Sequence, residues 1–357
     1  MKIIPAVLAN LFTLLLLTAC GGGGGGVAGI TGNSGLGGTV TNGINITALN
    51  APNVAAAVLN GMTAVTGSSD GAASAPPLIT GVAVNATSGN FGLPGVLLDQ
   101  LARVPGLQNA PNNTGIVGAA VSLNVGCSVS GSASLFANIA DPAFMVLTVA
   151  DSLSVSFFLC NEIGVVLDGD LDMTVAAIQG GTFDGIPPFN IQLDTVFSAL
   201  RALDGSDYYY SNGDMQLVLD DDGAGNLNAM ISGTALDTSY NDHDQALTAY
   251  LFDVSGNENT GDYAIDLDGT VESRDIDGTI TFTTTQPGTA AFVGNEFVGN
   301  GDPTSGTLLA VSDLDGSQLK LIADVNGVDV ELQVDADGDD IFETTGIMTT
   351  WAALELL

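Results

Sequence analysis

From about Gly118 onward this 357-residue chain alternates apolar and polar residues with a period of two, and that pattern constrains its fold more than any other. Cys127, Val129, Gly131, Ala133 and Leu135 alternate with Ser128, Ser130, Ser132 and Ser134. Leu153, Val155, Phe157 and Leu159 alternate with serines, and Val165, Leu167, Gly169, Leu171, Met173 and Val175 alternate with Asp168, Asp170, Asp172 and Thr174. Successive side chains of a strand point to opposite faces, so each run reads as a strand with one apolar and one wet face. Half-wet strands belong to antiparallel sheets, and no crossover-helix pattern lies between them. A last meander runs from Thr307 to about Trp351, with Val328, Val330, Leu332 and Val334 alternating with Asp329, Glu331 and Gln333. The predicted class is mainly β (α+β): a curled antiparallel meander or incomplete barrel spanning 118–357.

The strands also repeat. An apolar-x-Gly-x-apolar phrase occurs around Gly131 and Gly169, then around Gly233 and Gly269, with spacings of 38 (169 − 131) and 36 (269 − 233) residues. A further example surrounds Gly278. This reads as a duplicated strand unit, about 120–177 and 222–284, with chance likeness among Gly/Ser/Thr-rich strands as the alternative. Glycine inside a strand marks a bulge, bend or close approach, so these positions are expected to bend the sheet. Two helices are predicted in 51–117. Val54, Val58, Met62 and Val65 follow Pro52, and Leu93, Leu97, Leu101 and Val104 repeat the spacing, the last three between Pro94 and Pro105. Neither carries a charge cluster, so both are expected to pack on the sheet. Between the repeats, Pro187-Pro188 interrupts, and Val196, Leu200 and Leu203 predict a short helix.

Charge narrows the partners. Forty acidic residues oppose five Lys and Arg, for a net charge of −35, and only Asp70, Asp99 and Asp141 of those acids precede position 151. Such a surface offers no attraction to phosphate, which argues against nucleic acid or an anionic lipid surface as a partner. It suits solubility and divalent cations.

The amino terminus points to place. Lys2, the apolar run Leu8–Leu17 and the small residues Thr18-Ala19 lead to Cys20, and Leu17-Thr18-Ala19-Cys20 resembles a bacterial lipobox. That resemblance implies a signal peptide over 1–19, cleavage, and lipid (palmitate among the acyl chains) on Cys20, anchoring the protein to a membrane. Gly21–Gly26 and the Gly/Asn/Thr/Ser-rich residues to Asn50 are expected to form a tether over 20–50, with a reach of about 30 Å. With Cys20 lipidated, Cys127 and Cys160 remain as an even pair in an exported protein, and a disulfide is expected. It would stabilise by about 3–4 kcal/mol on the chain-entropy account.

Asp335-Ala336-Asp337-Gly338-Asp339-Asp340-Ile341-Phe342-Glu343 is the sharpest chemical motif. Carboxylates at positions one, three, five and nine of a short loop can turn inward around a hard cation, and calcium accepts six to eight oxygens in irregular cages. Between strand-like flanks, Asp335, Asp337, Asp339 and Glu343 resemble the hairpin calcium loops of propeller and adhesin modules. The loop is not an EF-hand, because Gly338 falls at position four and Gly346 stands where the bidentate Glu belongs. An acidic hairpin turn is the plainer reading, since Asp-Gly is itself a turn signal. Asp220-Asp221-Asp222-Gly223 reads as such a turn. Gly67-Ser68-Ser69-Asp70-Gly71 matches the letters of a hydrolase elbow but lacks the preceding strand. The only histidine, His243, flanked by Asp242 and Asp244, reads as a loop residue. Asp275 and Asp277 carry no geometry that would make them a glycosidase pair. No catalytic set emerges.

The lipobox, the glycine run, Gly126–Gly131, Phe157–Gly169, and the closing Pro303–Gly306, Glu331–Gly338 and Thr349-Thr350-Trp351 together resemble a loosely defined group of Gram-negative lipoproteins. The resemblance covers most of the chain after Cys20 and implies no activity. Gly21 after Cys20 implies delivery to the outer membrane, at its periplasmic face or the cell surface. The expectation is a non-enzymatic envelope or surface-interaction lipoprotein, calcium-stabilised, whose partner is an envelope protein or polysaccharide. The alternatives are a carrier of an apolar small molecule in a half-barrel cavity, or an acidic glycoside-active enzyme.

Overall fold

The computed structural model describes residues 43–66, 120–354 and 357, apart from 139, 141–147, 163–164, 181–187, 205–206, 241–242, 258, 285–291 and 296–301. The expected signal peptide, Cys20, most of the expected tether, the helix expected around Leu93–Val104 and the Gly67–Gly71 motif lie outside the described residues.

Fifteen strands form one antiparallel sheet: β1 (Ala120–Gly126), β2 (Ser130–Asn138), β3 (Ser152–Glu162), β4 (Val165–Gly180), β5 (Phe189–Asp204), β6 (Asp207–Asp221), β7 (Asn226–Tyr240), β8 (His243–Asn257), β9 (Asp262–Ser273), β10 (Gly278–Thr284), β11 (Phe292–Asn295), β12 (Pro303–Ser312), β13 (Gln318–Ala323), β14 (Asp329–Asp335) and β15 (Thr344–Thr350). Each strand pairs with its sequence neighbour, as the period-two pattern anticipated, with one irregularity. β10 and β11 lie end to end, each bridging β9 to β12. Among the described residues β1 pairs only with β2 and β15 only with β14, so the sheet stays open.

A helix, Ala51–Thr66, packs on β8, β9, β13, β14 and a short closing helix, Trp351–Leu354. Ala51 and every residue from Val54 to Leu59 are buried, while Asn53 is exposed. A helix covered on nearly all sides needs walls on more than one side. The walls come from two parts of the meander, β8–β9 and β13–β14, and from the closing helix. Ahead of it, Ile44 and Ile46 are also buried. Ser312 Oγ donates to Ile44 O, and Ile46 N donates to Ser317 Oγ at 2.8 Å. The tether expected to run to Asn50 therefore gives way to the folded body by Ile44, because two isoleucines find apolar cover.

The strand glycines meet bulges in the adjoining strands. Register shifts fall at Phe157/Cys160 of β3, Phe197/Leu200 of β5 and Thr248/Leu251 of β8, where Leu159, Ala199 and Ala249 take φ of 43°, 48° and 48°. Across from them stand Gly131 of β2, Gly169 of β4 and Gly269 of β9. Gly169 has φ 108°, and a Cβ there would come within 2.5 Å of Ala199 O. Only glycine fits that close approach. Each bulge inserts one residue, so the inward set changes parity along the strand. Phe197 and then Leu200 and Ala202 all face the core. β2–β3–β4 and β7–β8–β9 share the arrangement of a glycine strand, a bulged strand and a second glycine strand.

The parity change explains two departures from the sequence reading. Val196, Leu200 and Leu203 belong to β5 and not to a short helix. The bulge between Phe197 and Leu200 puts these residues on different faces, Leu200 buried and Val196 exposed, so their spacing marks no helical stripe. Leu159 is likewise turned outward so that Cys160 can point inward, and Val129 sits exposed in the β1–β2 turn. Cys127 and Cys160 form the expected disulfide, with Cα atoms 5.4 Å apart. The core is closed by Tyr250, Phe252 and Phe282 in series and by Phe292 edge-on to Trp351 at 5.2 Å.

Candidate metal centre

The motif after β14 folds into a carboxylate-lined loop. Asp335, fully buried, ends the strand and organises the turn: its Oδ1 accepts Asp337 N at 3.2 Å and Gly338 N at 2.7 Å, and its Oδ2 accepts Asp340 N at 2.7 Å. Gly338 takes φ 75°, and a Cβ there would lie 2.8 Å from Gly316 O, so the loop rests on the β12–β13 turn. Gln318 Nε2 donates to Asp340 Oδ1 at 2.7 Å, Asp339 Oδ1 accepts Ile341 N at 2.9 Å, and Glu343 Oε2 accepts Ala336 N at 3.2 Å.

These contacts bring together all four residues singled out by spacing. One oxygen from each of Asp335, Asp337, Asp339 and Glu343 lies within 4.8 Å of the others, with Asp335 buried and the rest exposed. Crowded like charges leave their mark: Asp339, then desolvation, then Glu343 and Asp335, hold the Asp337 carboxyl above its ordinary range. A cation would relieve this repulsion. An all-oxygen donor set on an irregular loop suits calcium better than zinc, which prefers nitrogen and sulfur, or magnesium, which demands a strict octahedron. The exposed side leaves room for water or a carboxylate or phosphate from outside.

Elsewhere the acidic residues are used locally. Asp221 and Asp222 accept Gly223, Ala224 and Asn226 amides; the turn lies at 222–225, while Asp220 and Asp221 still belong to β6. His243 opens β8 at the surface, with Nδ1 2.9 Å from Asp275 Oδ2, beside an Arg274–Asp244 ion pair. Asp214 accepts Thr234 N, Thr234 Oγ1 and Ala235 N at the β6–β7 bulge. Burial raises its pKa, but these donors outweigh burial and leave the carboxyl below its ordinary value.

The sequence reading missed one pair. Asp253 of β8 stands directly opposite Asp266 of β9, and desolvation, then Asp266, push the Asp253 carboxyl up. Register alone creates this pair, and register was not readable. Comparisons with protein families, with curated proteins and with solved structures found no match.

Proposed function

We propose that this protein is a lipid-anchored outer-membrane lipoprotein with a structural or surface-interaction role, not an enzymatic one, and that calcium stiffens its closing loop. The observation that carries the reading is the Cys127–Cys160 disulfide, with Cys160 fully buried. A buried disulfide in a bacterial-type chain suits an oxidising compartment, the same destination that Leu17-Thr18-Ala19-Cys20 implies. The long sheet adds support, because its wet face offers an extended surface. The helix packs on β8, β9, β13 and β14 with residues 54–59 buried, which favours a scaffold over a carrier. The partner is an envelope protein or polysaccharide at the membrane to which Cys20 is attached.

The test is the mass and fractionation of the mature protein. Acylation at Cys20 with recovery in the outer membrane is expected, and Cys20→Ala should remove both. A freely soluble exported protein with an unmodified Cys20 thiol would overturn the proposal. Turnover of a polysaccharide, ester or peptide by the purified protein would overturn the non-enzymatic role.

A further inference from the structure

We propose that β1 is a self-association edge, through which two copies of this chain join antiparallel, β1 to β1, and continue the sheet across a two-fold axis. The inference is independent of the anchoring proposed above.

Half of the backbone of β1 is unused. Cys127 N donates to Gly131 O at 3.2 Å, just past the strand end, and this bond fixes the phase of the β1–β2 ladder. Bonding alternates along an antiparallel ladder, so Val121, Leu123 and Val125 turn their N–H and C=O groups toward β2. Ser122, Asn124 and Gly126 turn theirs to the open side. There β1 has no partner strand among the described residues, and all three of these residues are exposed. A Cβ on Gly126 would meet nothing within 4 Å. A row of free donors and acceptors is a template for one more strand.

The two edges of the sheet differ. β15 is guarded: its register with β14 shifts between Leu332 and Val334, Gly346 takes φ 75°, and Gly346 N is drawn to Glu331 Oε1 at 3.0 Å. Asp329 and Glu331 stand one strand in, opposite Thr350 and Met348, about 5 Å from that edge. β1 has none of these devices. Its seven residues pair with β2 without a shift, and β1, β2 and β3 carry no charged side chain apart from Glu162 at the last position of β3. Asp151, just before β3, is buried with its carboxylate on the amides of Ala140 and Thr148. From Asn124 the row across the sheet runs Ser134, Ser156 and then Asp170; from Ser122 it runs Phe136, Ser154 and then Asp172. Those acids lie three strand spacings from the edge, about 14 Å, beyond the Debye length of about 8 Å at physiological ionic strength. Two molecules of net charge −35 can therefore meet at β1 with their carboxylates screened from each other. The strand that fits must be extended and uncharged, and β1 itself meets both conditions. Full overlap places Ser122 across from Asn124 of the partner subunit and matches outward residues with outward residues, the phase an antiparallel ladder needs.

The experiment is sedimentation equilibrium of the full-length protein in density-matched detergent with micelles in excess, together with hydrogen exchange. A dimer is expected, with the amides of Ser122 and Asn124 protected in it and exchanging freely on dilution to monomer. The dimer should tighten as salt rises from about 0.01 M to about 0.15 M, where the Debye length falls from about 30 Å to about 8 Å. Ser122→Asp sets a charge in the interface, and Asn124→Pro removes an N–H that β2 does not use. Each change occurs twice across the two-fold axis and should weaken dimerisation about tenfold or more, with the circular dichroism and the Cys127–Cys160 disulfide retained. Thr345→Asp, on the exposed part of β15, should leave the dimer unchanged. A protein monomeric at every concentration would overturn the proposal and hand the edge to solvent or to another partner. A dimer without protection at 122 and 124, or one broken by Thr345→Asp and not by Ser122→Asp, would overturn it as well.

Discussion

Asp335 gives its two carboxylate oxygens to three backbone amides, whereas Asp337, two residues on, is exposed and crowded by Asp339, Glu343 and Asp335. Their substitutions should therefore behave differently. Asp335→Asn removes charge-assisted bonds from a buried turn and should cost about 2–3 kcal/mol with or without calcium. Asp337→Asn should be neutral or stabilising in chelator, because it removes repulsion. Wild-type protein at a hundredfold excess of calcium over its dissociation constant should gain about 2.7 kcal/mol, and Asp337→Asn should lose most of that gain. Thermal melts with calcium and with chelator decide it, and an undiminished response in Asp337→Asn would remove the site. The pH dependence has a definite sign. The Asp337 carboxyl titrates above its unfolded value, so the folded loop holds a proton longer and loses stability as pH rises through that raised pKa. Asp214 behaves oppositely. Its pKa lies below the ordinary 3.8, so the stability it contributes is complete above that value and is lost as pH falls through the lowered one. Acid unfolding of Asp214→Asn should lack that component, and an unchanged acid limb would refute the bulge-capping role.

At the scale of elements, the bulges shape the sheet, and their glycines make a sharp prediction. Gly169→Ala places a side chain against Ala199 O at φ 108° and should destabilise by about 2–4 kcal/mol in denaturant unfolding. Gly126→Ala meets nothing within 4 Å and should be nearly silent. Equal midpoints for the two would show that the bends do not depend on glycine. The same bulges mark the limit of what was legible in the chain. Strand periodicity is local, so β2 to β4 and β14 could be read from alternation, and Val54 and Val58 announced the helix. A bulge adds one residue and changes parity, so Phe197, Leu200 and Ala202 of β5 all face inward and the alternation that would announce a strand is broken. The carboxylate cage was legible because its ligands are adjacent in sequence. The opposition of Asp253 and Asp266, and the seating of Ile44 beside Ser312, depend on long-range register and were not.

At the scale of the molecule, the stabilising devices are unevenly shared. The helix packs on β8, β9, β13 and β14, and the Ile44–Ile46 segment ties it to the β12–β13 turn. β1 and β2 carry no charge, border an open end of the sheet among the described residues, and are pinned by the Cys127–Cys160 disulfide. A cross-link there constrains the part of the sheet farthest in pairing order from the helix-backed strands. Proteins open in contiguous units whose stability follows their burial, so β1–β3 should form the weakest unit once the bond is cut. Reduction should remove about 3–4 kcal/mol, concentrated in that unit. Hydrogen exchange should show amides of β1 and β2 losing protection on reduction, while those of β8–β10 and β12–β14 keep theirs. A uniform loss across all fifteen strands would mean instead that the meander unfolds as one body, with the disulfide sharing its effect over the full length of the sheet.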